Sequence, residues 1–174
     1  MGSLGRREGW ALANLGRWDE AIAATLRAVE VNEFVAGLEP SNQRAQWDLA
    51  TIYKALAEIY EWRGWKRESI EYFAKVIPIL EKLVAEGAPP PMQRALSESY
   101  VHMGSQQWDL GRQAEGRANA ARGLRMMLEG LNAPDTPRSA VEQAGDALMT
   151  VRPEELRDYR RALRLLTAPH ADGP

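Results

Sequence analysis

The chain has 174 residues, 45% of them hydrophobic, with a formal net charge of −2 and no cysteine. That length suffices for one domain or a short repeat array with a continuous core. The near-neutral charge gives no global attraction to nucleic acid or anionic lipid, and the missing thiols exclude disulfides and thiolate catalysis.

Met1-Gly2-Ser3 reads as an artificial start, and the natural protein is expected to extend upstream. No apolar run approaches the roughly 18 residues that cross a bilayer. No signal-peptide core is present either, so a cytoplasmic protein is expected. In chain order, apolar residues recur at helical spacing and predict eight helices in four pairs: 3–15 with 18–36, 42–62 with 66–86, 92–109 with 112–131, and 137–151 with 154–167. Leu49, Ile52, Tyr53, Leu56, Ile59 and Tyr60 mark the third helix; Ile70, Phe73, Val76, Ile77, Leu80, Leu83 and Val84 mark the fourth. Between pairs lie Glu39-Pro40-Ser41-Asn42, Ala88-Pro89-Pro90-Pro91 and Asn132-Ala133-Pro134-Asp135, which is turn and linker chemistry. Inside the first three pairs the turn is short and carries Gly16, Gly64 or Gly111, where the residue after a helix end turns left-handed. So short a turn forces the two helices antiparallel. Pro78 falls within the fourth helix and is expected to kink it, since the apolar stripe continues beyond; a break is the alternative. No stretch alternates with period two for long enough to nominate a strand.

Three stretches repeat one spaced set of small residues: Gly9, Gly16, Ala21, Ala28; Ala57, Gly64, Ser69, Val76; and Gly104, Gly111, Gly116, Gly123. Gly9, Ala57 and Gly104 on the first helix of each pair, with Ala21, Ser69 and Gly116 on the second, would let the two rods approach closely. Bulky Tyr53, Leu56, Tyr60 and Phe73 would fill the space between pairs. In this pattern, and in Gly9 through Ile22 and Tyr53 through Phe73 especially, the chain resembles the tetratricopeptide (TPR) repeat family. The usual period there is about 34 residues, whereas Gly16 to Gly64 is 48 and Gly64 to Gly111 is 47. The surplus implies longer helices, a style similar to long-period arrays beside kinase domains in some bacterial signalling proteins. The resemblance implies an all-α fold, a right-handed α–α superhelix of four antiparallel helix pairs spanning 1–168, with a flexible tail at 169–174.

Catalytic signatures are absent, so no enzyme, cofactor or metal site is expected. His102 and His170 are far apart, with no His-Glu-x-x-His pair. The glycines repeat with the architecture and are turn and packing devices rather than a phosphate cradle. Glu68, Glu71, Glu81 and Glu86 fall on one solvated helix face rather than forming an acid–base pair. Of six tryptophans, Trp18 follows the turn and packs, Trp47 packs the start of the third helix, and Trp65 flanks a turn. Trp10, Trp62 and Trp108 project from the first helices of their pairs, where aromatic anchors in a groove serve binding; sealing the junction between repeats is the competing role, weighed most heavily for Trp62.

By register, the inner surface implied by the family presents Arg6, Trp10, Asn14, Lys54, Glu58, Glu61, Val101, Ser105, Trp108 and Asp109. Its mixed charge, with Lys54 set against Glu58, Glu61, Glu98 and Asp109, argues against a clamp for a C-terminal carboxylate. Arg152, Arg157, Arg160, Arg161 and Arg164 close the chain, outside an inward stripe of Leu156, Tyr159, Leu163 and Leu166. A solvated capping face accounts for them; an acidic partner or RNA backbone is the sharper reading, which the absence of interleaved exposed aromatics opposes. The expected function is non-catalytic: a scaffold holding a partner's peptide or helix along the concave face, with no nucleic-acid or membrane partner. The alternatives are a regulatory or recruiting segment of a larger bacterial Ser/Thr kinase-like enzyme, and a module that self-associates as a homodimer through Leu4, Leu12 and Leu15.

Overall fold

The computed structural model describes residues 2–131 and 136–158, together with Arg161 and Arg164. Among the described residues there are seven α-helices, one short 3-10 turn and no strand. The helices are α1 (Gly2–Asn14), α2 (Trp18–Leu38), α3 (Gln43–Arg63), α4 (Lys66–Ala85), α5 (Pro90–Asp109), α6 (Gln113–Gly130) and α7 (Arg138–Thr150). The chain divides into two compact units, Met1–Met92 and Gln93–Pro174.

The turns inside the first three pairs are built identically. Gly16, Gly64 and Gly111 have φ of 73°, 85° and 83°, a region that costs a side chain energy and glycine almost nothing. In each, the next residue's N–H reaches back five residues: Arg17 to Leu12 O at 2.9 Å, Trp65 to Tyr60 O at 2.8 Å, Arg112 to Gln107 O at 2.9 Å. This satisfies a carbonyl that the helix end leaves orphaned. The same three residues then accept from the first turn of the following helix, through the N–H groups of Ala21, Ser69 and Gly116. One hydrogen-bonding scheme thus serves three sequences that share only the glycine and a glutamate four residues on, Glu20, Glu68 or Glu115.

In the first unit α1 packs against α2 and α3, and α3 also packs against α2 and α4. Asn42 starts α3, its side-chain oxygen accepting from the N–H groups of Arg44 (3.0 Å) and Ala45 (3.2 Å). Phe73, Ile52, Leu56, Ile59, Val76, Leu80 and Leu83 are essentially withdrawn from water. The small residues stand at the helix crossings. Ala21, Ala57 and Ser69 are fully buried, and the Ser69 hydroxyl donates to Ala57 O at 2.8 Å. Helix α4 runs through Pro78 without ending, so the break considered from sequence does not occur.

The second unit brings α5 and α6 into backbone contact. A methyl group added at Gly116 would stand 2.5 Å from Trp108 N and 2.7 Å from Gly104 O; one added at Gly123 would stand 2.5 Å from Ser97 O. Only glycine permits this approach. Helix α7 packs on α6, and Val101, Ala120, Leu124, Leu148 and Val151 form the core.

The fourth pair departs from expectation. In place of a helix from 154, Glu154–Leu156 is a single 3-10 turn and residues 157–158 are not helical. The Asp158 N–H donates to Leu148 O at 3.1 Å, and Arg157 Nε to Val151 O at 3.1 Å. These bonds fold the segment back onto the end of α7, in competition with its own helical bonds. The rest of the expected eighth helix, the tail at 169–174 and His170 lie outside the described residues, save Arg161 and Arg164.

Candidate functional site

Positions 6, 10 and 14 share one face of α1, and 54, 58 and 62 share one face of α3, because four residues make slightly more than a helical turn. The two helices are neighbours, and their faces meet through tryptophan. The rings of Trp10 and Trp62 lie 6.4 Å apart at 43°, and the Arg6 guanidinium carbon stands 5.3 Å from the Trp10 ring centroid. Gly9 makes room for this approach, since a methyl group there would meet Ile59 Cδ1 of α3 at 3.2 Å. Arg6 and Trp10 are half-buried, while Trp62 remains 50% exposed.

Two donors in this cluster lack acceptors. Arg6 Nε and Trp10 Nε1 are both withdrawn from solvent with no hydrogen-bond partner. Such atoms are rare in folded chains because each forgoes its hydration without recompense. Further along α3, Lys54 is paired with Glu58, the two side chains only 16% and 11% exposed. Glu61 is half-buried, and Asn14 is exposed at the end of α1. Of the six expected residues of the first unit, Arg6 and Trp10 meet at the α1–α3 contact with Trp62, and Lys54 and buried Glu58 pair along α3.

The expected residues of the second unit fare differently. Val101 is 7% exposed and belongs to the core beneath α7, so it is not an open surface residue. Ser105 is half-buried, and its hydroxyl accepts the Arg152 N–H at 3.1 Å, tethering the chain that leaves α7. Trp108 is half-buried and Asp109 exposed. Arg157 was expected on a solvated face, yet its side chain is 17% exposed, bonded to Val151 O and 3.4 Å from Glu154. Arg152 is bonded to the same Glu154 at 2.7 Å. Of the leucines considered for self-association, Leu12 is half-buried and Leu15 exposed; the Leu4 side chain lies outside those described.

A second aromatic group joins α2, α3 and α4. Tyr72 lies 5.8 Å from Tyr53 and 5.7 Å from Tyr60, Trp65 stacks on Tyr60 at 5.9 Å, and Lys75 Nζ sits over Tyr72 at 4.6 Å. The Tyr53 hydroxyl donates to Glu33 at 2.5 Å. Burial first, and then that bond to a carboxylate, pushes the Tyr53 hydroxyl well above its ordinary pKa. Burial also raises Tyr60 and Tyr72, and nearby negative charges add to it, from Tyr72, Glu68 and Glu71 at Tyr60 and from Glu33 and Glu71 at Tyr72. These rings are cross-bracing between helices rather than reactive groups.

The second unit carries an open cavity of about 480 Å³, with Leu124, Leu128, Leu148 and Leu156 as floor and Arg125, Glu129, Asp158 and Arg161 at its rim. Its rim carries two residues of each charge. Among the described residues no cluster of histidine and carboxylate could hold a metal ion, and no helix is long and apolar enough to cross a membrane. No family model matches the chain, and no curated protein matches it.

Proposed function

We propose that the chain is a non-catalytic protein-interaction module, a TPR-like right-handed α–α superhelix of helix pairs, which holds a peptide or helix of a partner protein against α1 and α3. The repeated turn scheme and the small residues at successive crossings support the repeat architecture. The observation that carries the binding reading is the Arg6–Trp10–Trp62 cluster, where Trp62 stands half exposed beside Trp10. A partner's apolar side chain would cover the exposed half of Trp62. Tryptophan and arginine are the residue types that dominate binding energy at interfaces. No covalent step is involved; affinity comes from shape, two aromatic anchors and a few polar contacts on a preformed surface.

The test is affinity capture from the native cell with the full chain, run beside Trp62→Ala and Arg6→Ala. Proteins retained by the wild type should be lost from both variants, with at least about a tenfold rise in Kd for the partner so identified. Both variants should keep their helical circular dichroism. Retention of the same proteins by wild type and variants, or of none, contradicts the proposal.

A further inference from the structure

We draw no further inference here: the strongest candidate, the open leucine-floored cavity bordered by α6, α7 and the turn at Glu154–Leu156, has a rim carrying both charges, and nothing in the structure shows what covers it.

Discussion

Replacing Gly116 by alanine puts the close packing of α5 on α6 to a quantitative test. The new methyl carbon would lie 2.5 Å from Trp108 N, 2.7 Å from Gly104 O and 3.0 Å from Trp108 Cα. All three are backbone atoms, so no side chain can swing aside; the helices must part by roughly 1 Å. Overpacking of this kind costs about 1–3 kcal/mol, and rigid backbone on both sides places Gly116 at the upper end. The better helix propensity of alanine returns at most about 1 kcal/mol. The net loss is about 2 kcal/mol, or a fall in Tm of about 4–8 °C for a chain of this size. Gly130→Ala is the control, since nothing lies within 4 Å of a methyl group there; its stability should stay within about 0.5 kcal/mol of wild type. Urea unfolding followed by tryptophan fluorescence and by circular dichroism measures both variants. If Gly116→Ala is as stable as Gly130→Ala, the two helices are not in backbone contact and the packing argument fails.

Ser69 holds the equivalent crossing in the second pair; Ser69→Ala removes its bond to Ala57 O and should cost about 1 kcal/mol in urea unfolding. Phe73, fully buried between α3 and α4, should cost about 3–5 kcal/mol when cut to alanine, enough to leave a large unfolded fraction. Alkaline titration followed by tyrosinate absorbance should show Tyr53, Tyr60 and Tyr72 resisting ionisation past the ordinary value of 10.0. Their folded pKa values lie above the unfolded ones, so the linked stability is complete below pH ~10 and is lost as pH rises beyond it. Tyr53→Phe, which cannot ionise, should flatten that loss, whereas an unchanged alkaline profile would remove Tyr53 as its source.

Much of the fold could be read from residue order because it rests on local chemistry. Gly16, Gly64 and Gly111 are required by left-handed turns, and a glycine at such a point is visible without knowing anything distant. The same holds for the crossings at Ala57 with Ser69 and Gly104 with Gly116, where small residues recur at fixed offsets from the turn. The segment after Val151 was not legible. Glu154 to Asp158 has helix-forming composition, but bonds from Arg157 and Asp158 to carbonyls at the end of α7 decide its path, and those are tertiary.

The candidate site divides along the same line. Register along α1 and α3 led to the expectation that Arg6, Trp10, Asn14, Lys54, Glu58 and Glu61 share one inner surface; the structure sets Arg6 over Trp10 and pairs Lys54 with Glu58, which is buried. Trp62 was weighed as a junction seal, though it stands four residues after Glu58 on the same face; the signal was in the spacing, and what was missing was the neighbouring Trp10. Val101 could not have been assigned correctly, since its burial depends on α7 folding back from forty residues further on.

Hydrogen exchange of the full chain, with and without its captured partner, tests the central claim most directly. The account requires added protection concentrated in residues 2–14 and 43–63, where Arg6, Trp10 and Trp62 lie, and its disappearance in Trp62→Ala. Protection confined to α6 and α7, or protection that Trp62→Ala leaves intact, would contradict it.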